Sequence, residues 1–215
     1  MKQGKIAESV LKRSVFKQLH LKRPDVLLAA GIGEDCAAFA VAEDEVAVIS
    51  ADPVIWEDSL DGRCAVHANL NDLAAGGAEP VGLMLTALLP PEIEEAQMRQ
   101  MVQMIAQECE PLQVQILGGH TEVTDVVKRP VVSIAAVGKA KKGMLSTTTG
   151  AKPGDDIVVT KWIALEATAK LARSRREALL SRYPQHLLDD AERFQQYFSV
   201  IPEAATAVKS GVRAM

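Results

Sequence analysis

Apolar positions recur at helical spacing near the N-terminus, where Ile6, Val10, Leu11, Val15 and Leu19 are separated by Lys and Arg. That period predicts a short amphipathic helix over residues 6–19, closed off by Pro24. The pattern then changes. Residues 26–30 form a brief apolar run that meets the turn Gly31-Ile32-Gly33-Glu34-Asp35. Residues 36–41 and 46–51 read as two strands around the acidic turn Glu43-Asp44-Glu45. A helix is expected over 65–74, with Asp61 placed to cap it and Gly76-Gly77 to end it. Residues 81–89 are apolar throughout, the mark of a buried strand, and Pro90-Pro91 stops them. Pro91 opens the next helix. Glu92, Glu94 and Glu95 lie at its positive end, and Met98, Met101, Val102, Ile105 and Ala106 share one face. Residues 114–117 and 131–137 are further strands. The first runs into a turn, Gly118-Gly119-His120-Thr121-Glu122.

Strands alternating with helices imply an α/β (α+β) domain with helices flanking a sheet. A Ser/Thr/Gly-rich stretch between Lys141-Lys142-Gly143 and Lys152-Pro153-Gly154-Asp155 reads as a boundary, giving domains 1–145 and 146–215. The second segment predicts one strand, 156–160, followed by helices over 164–180, 187–198 and 202–210. A lone strand leaves its ladder groups unpaired. Either it pairs with the first domain or the second domain is incomplete, and the abrupt stop at Met215 favours truncation.

Composition narrows the function classes. Aromatic residues are only 4%, so the core must be built of Ala, Val, Leu, Ile and Met. The net charge of −4 provides no broad basic field for nucleic acid or an anionic membrane. A polyphosphate ligand would need a metal or a local set of donors. Cys36, Cys64 and Cys109 are too dispersed for a disulfide framework or zinc site and read as small buried residues. No apolar run approaches the ~18 residues of a membrane span, and the charged N-terminus has no signal core. A cytoplasmic protein is expected.

Candidate chemistry lies at the junctions. Asp35, Asp52 and Asp72 each follow or precede small residues at strand or helix ends, and a glycine pair at 118–119 follows a strand. Magnesium takes oxygen ligands and needs only one or two carboxylates beside phosphate oxygens. Glycines let backbone N–H groups approach phosphate. Each acidic junction alone is equally a turn former. Asn71 and Asp72 are harder to dismiss, because they interrupt an apolar helical segment and must face solvent, a cavity or a cation. Gly31-Ile32-Gly33 lacks the third glycine of a dinucleotide fingerprint, and no Walker-type loop is present. His67 and His120 do not form a metal-binding pair, no Ser-His-Asp set can be assembled, and no catalytic residue is assigned.

These junctions together resemble the PurM-like, AIR-synthase-related superfamily. The resemblance is carried by Gly31-Ile32-Gly33-Glu34-Asp35-Cys36-Ala37, Asp52-Pro53, Asn71-Asp72-Leu73-Ala74-Ala75-Gly76-Gly77-Ala78-Glu79-Pro80 and Gly118-Gly119-His120-Thr121-Glu122. Lys152-Pro153-Gly154-Asp155 and Val158-Val159-Thr160-Lys161-Trp162 are similar to the entry to that family's second domain. The resemblance implies a mixed sheet with flanking helices that forms a barrel across a homodimer, with ATP bound at the dimer. It implies Asp35, Asp52 and Asp72 as magnesium ligands, and Asn71, Gly118, Gly119, His120, Thr121 and Lys161 as nucleotide contacts. The implied chemistry is ATP-dependent phosphorylation of a small-molecule or protein-bound carboxamide oxygen, a phosphate ester or selenide. The hydrogenase-maturation HypE branch is nearest in look, and the thiamine-monophosphate kinase branch is also similar. A non-catalytic dimeric nucleotide-binding module is the alternative.

Three features depart from the family pattern. His120 stands where Asp is usual, and imidazole suits magnesium poorly. Ala164 and Ala167 stand where glycines are expected. The chain ends before a glycine-rich loop and lacks the C-terminal cysteine of the HypE reaction. A dimer is expected on physical grounds as well, since residues 81–89 and 131–137 are apolar on both faces.

Overall fold

The computed structural model describes residues 3–32, 36–57 and 59–215. In chain order the strands are β1 (Gly4–Lys5), β2 (Val26–Leu28), β3 (Ala38–Phe39), β4 (Glu45–Ile55), β5 (Glu79–Leu89), β6 (Gln115–Val123) and β7 (Val131–Lys141). The helices are α1 (Ser59–Ala75), α2 (Glu95–Cys109), α3 (Leu165–Ser174), α4 (Arg176–Leu180), α5 (Gln185–Arg193) and α6 (Ile201–Lys209). Five strands form one mixed sheet in the order β1-β6-β5-β7-β4, in which only β5 and β6 run parallel. The expected mixed α/β layer is therefore present. β2 and β3 make a separate ribbon.

Alternation along β7 fixes the faces of the sheet. Val132, Ile134 and Ala136 are buried, while Val131, Ser133, Ala135 and Val137 between them are only partly covered. The buried face packs on α1 and α2. Leu70 and Leu73 of α1, Met98 and Ile105 of α2, and Leu83 and Leu89 of β5 are almost fully enclosed there. The opposite face leaves Ile49 and Ile55 of β4 68% and 60% exposed. As expected from the composition, the core is aliphatic, with Trp56 buried against the sheet and Phe198 buried among the C-terminal helices.

Several boundaries differ from the sequence reading. The N-terminal helix is an irregular helical segment over 8–18, whose Arg13 and Ser14 are tied to Glu95. α2 starts at Glu95, not at Pro91, because Glu94 and Gln97 form a reciprocal capping box one turn later. Asp61 lies within the first turn of α1 and accepts the Glu57 N–H at 2.6 Å. Gly118 to Glu122 is no turn: β6 continues through it to Val123, held by parallel pairing with β5. The expected strand at 156–160 does not form. Ile157 and Val158 stand 95% and 82% exposed, because no described strand lies alongside to complete their hydrogen bonds.

The β2–β3 ribbon is fastened to the sheet by charge. The Asp25 carboxylate accepts two hydrogen bonds from Arg23, at 2.8 Å each, and one from Lys139 at 2.9 Å. The Arg23 guanidinium, with Lys139 beside it, holds the Asp25 carboxyl well below the usual carboxylate range against the opposing effect of burial. Its folded pKa is depressed, so its contribution to stability is present above the unfolded value of about 4 and is lost as pH falls below it. Asp25→Asn should therefore lower the urea midpoint near neutral pH, and the two proteins should converge as the pH drops below about 4. A constant difference across that range would show that the fastening is not ionic.

Candidate functional site

The predicted site residues fall into two groups at opposite edges of the sheet. The first is built where α1 crosses β4. Asp52 pairs in register with the buried Ile134, which places it on the helix-facing side of β4. Its N–H donates to Asn69 Oδ1 at 3.0 Å, and Asn69 Nδ2 donates to the Ala65 carbonyl one turn back. Two residues earlier on the same face, Ser50 Oγ donates to Asp72 Oδ2 at 2.7 Å. Asp52 and Asp72 are both exposed. Their strand positions lie on the order of 7 Å apart, since Asp72 sits beside Ser50.

Asn71 and Lys161 adjoin this group, with their polar ends engaged by the C-terminal segment. Asn71 Nδ2 donates to the Phe198 carbonyl at 2.8 Å, and its Oδ1 accepts the Val200 N–H at 2.9 Å. Lys161 pairs with Glu203 at 2.8 Å and also donates to the Ser199 carbonyl. The helices α3 to α6 dock on α1 near here, through Cys64, Ala169 and Phe198.

The second group lies at β6. Gly118, Gly119, His120 and Thr121 line a cavity of about 520 Å³, together with Leu11, Val15 and Phe16 of the N-terminal segment and Met98, Met101 and Ile105 of α2. Gly119 has φ +144, and a Cβ there would stand 1.8 Å from the Leu85 carbonyl oxygen, so only glycine lets β6 pass β5 at this point. His120 pairs in register with Thr86 and, through it, Ser133, so it points away from α1 and α2. Its Nε2 lies 3.1 Å from Glu122 Oε2. Gly31 and Ile32 also line the cavity, and Asp35 lies outside the described residues.

β6 and β4 are separated by two strands, which places the groups roughly 14 Å apart across the sheet. Asp52 and His120 also face opposite sides. One chain brings Asp52 and Asp72 together at the α1–β4 crossing, brings Asn71 and Lys161 together at residues 198–203, and gathers the Gly118–Thr121 set at the cavity, but it does not join the cavity set to the others. Among the described residues no three His, Cys, Asp or Glu side chains assemble into a metal site. Two exposed carboxylates suit magnesium that completes its shell with phosphate and water.

Ser50 and Asn69, which fix the metal candidates, have no motif in the sequence. Asn69 had one legible signal: like Asn71, it is an amide inside the apolar run of α1. Cys64 and Cys109 are buried, and burial pushes both thiols up to about 12, so they are inert packing groups as expected. Cys36 departs from that expectation and is exposed, ahead of the short strand β3. No helix among the described residues is long and apolar enough to cross a membrane.

A mixed sheet with helices on one face makes this an α/β protein, with acidic groups on its edge strand β4 and a close glycine crossing on β6. The family model "AIR synthase related protein, N-terminal domain" matches residues 33–140, half of the chain. The chain belongs to that family. It is 27% identical over 73% of its length to a putative hydrogenase expression/formation protein of Methanocaldococcus jannaschii, of which it covers 48%. It is 33% identical over 67% of its length to thiamine-monophosphate kinase of Escherichia coli, covering 45% of that protein. Among solved structures, thiamine-monophosphate kinase of Stenotrophomonas maltophilia matches 95% of this chain and 65% of its own, with a TM-score of 0.72 at 25% identity. The chain spans about half the length of the curated relatives it matches.

Asn69 is fully buried and bridges α1 to β4. Asn69→Ala leaves the Asp52 N–H without its partner and should lower unfolding free energy by about 1–3 kcal/mol in urea titrations. A loss under about 0.5 kcal/mol would show that water replaces the amide at no cost.

Proposed function

We propose that this chain is the nucleotide-binding part of an ATP-dependent, HypE-like enzyme that works as a homodimer and activates a carboxamide oxygen by phosphorylation. Residues 1–145 form the ATP-binding and dimerisation domain, and 146–215 begin a second domain. The observation that carries the reading is the separation of the candidate residues across one sheet, with β5 and β7 lying between β4 and β6. A triphosphate gripped at Asp52, Asp72, Asn71 and Lys161 of one protomer extends to the Gly118–Thr121 cavity of its partner. The uncovered sheet face, with Ile49, Ile55, Val131 and Val137, provides apolar surface for that partner.

Magnesium, held by Asp52 and Asp72 with Asp35 as a third candidate, would offset the repulsion between phosphate and an acidic protein. The chain's own residues bind and orient: Ser50 aligns Asp72, Asn69 aligns the Asp52 backbone, and Gly119 shapes the approach to the cavity. Positioning of this kind is the main protein contribution to phosphoryl transfer. A second reading, a phosphotransferase acting on a phosphate ester, is favoured by the thiamine-monophosphate kinase fold matching 95% of the chain. Both readings share the nucleotide site and differ in the acceptor.

Asp72→Ala and His120→Ala should each weaken Mg-ATP binding by about tenfold or more in calorimetry. Mixing the two variants should restore about a quarter of the wild-type sites, because half the dimers are mixed and each carries one intact site. Full-strength binding by either variant alone, or no recovery on mixing, would sink the shared site.

A further inference from the structure

The polar groups expected to meet phosphate are already taken. Both ends of the Asn71 amide are spent on the Phe198 carbonyl and the Val200 N–H, at 2.8 and 2.9 Å. The Lys161 ammonium is spent on the Ser199 carbonyl and on Glu203. All four partners lie within six residues, 198–203, at the start of α6. The grip is also imperfect. Glu203 Oε2 is enclosed without a hydrogen-bond partner. Lys161 and Ala164 hold φ values of +57 and +62, which L side chains rarely adopt, so the turn presenting Lys161 is strained. Between these two residues Ile163 stands 82% exposed, and residues 156–160 before them make no ladder. A tightly built joint would satisfy its carboxylate and use glycine at such positions.

We propose that residues 198–203 are a strap that occupies Asn71 and Lys161 and lifts when a nucleotide claims them. The inference rests on the reading that these two residues face phosphate. Docking of α6 and binding of the triphosphate then compete for one amide and one ammonium. Competition of this kind is reciprocal: whatever loosens the strap tightens nucleotide binding, and nucleotide loosens the strap by the same factor.

The test uses the full chain with Mg-ATP. Glu203→Gln removes the ion pair at nearly constant size, and it should raise Mg-ATP affinity about three- to tenfold in calorimetry. In the unsubstituted protein, saturation with Mg-ATP should speed amide exchange across 199–209, where a ligand that merely rigidified the fold would slow it. Unchanged or weaker affinity in Glu203→Gln overturns the strap, and so does exchange in 199–209 that slows or stays constant on ligand addition. In either case Mg-ATP binding by the unsubstituted chain leaves the nucleotide site standing. If neither protein binds Mg-ATP, both the site and the strap fall.

Discussion

The strand-borne candidates, Asp52 and His120, inherit their faces from the register of β4, β7 and β5. Ile134 is fully buried against the helices, and it lies opposite Asp52 on one side and Leu85 on the other. That one alignment turns Asp52 toward α1, Thr86 and Ser133 toward the open face, and His120 with them. A slip of one residue would exchange the faces and bury carboxylates in an aliphatic core. Burial of Val132, Ile134 and Ala136 therefore does more than stabilise the sheet. It sets which side chains face the helices, while the strand order, with β5 and β7 between β4 and β6, keeps the Asp52 group and the Gly118–Thr121 group apart within one chain.

The second constraint is backbone clearance at Gly119. The β6 strand passes close enough to β5 that any Cβ there would overlap the Leu85 carbonyl oxygen. Parallel pairing continues past Gly119 to Val123, and His120 and Thr121 line the cavity. Around the other group the same economy holds. Asn69, Ser50 and the α1–β4 crossing hold the two exposed carboxylates Asp52 and Asp72 on one face.

Much of the fold was legible because its elements carry their own instructions. The apolar face of α2, the length of β5 and the alternation along β7 are all local patterns. The departures occur where a distant partner decides. Gly118-Gly119 has turn chemistry, yet pairing with β5 keeps it in a strand. Residues 156–160 have strand chemistry, yet nothing described lies beside them. In the site, Asp52 and Asp72 were singled out together by the family resemblance, since each acidic junction alone reads equally as a turn. The separation of His120 from them was not legible, since it depends on strand order and parity. Asn71 was expected to face solvent, a cavity or a cation; it instead bonds two backbone groups more than a hundred residues away.

The central claim is that the nucleotide site is completed only by two copies of the chain. It is tested most directly by following Mg-ATP binding and molecular mass together as the protein is diluted. Affinity should be retained while the mass is twice 23.1 kDa and collapse as dimers dissociate. Binding of undiminished strength by a species of 23.1 kDa would contradict it.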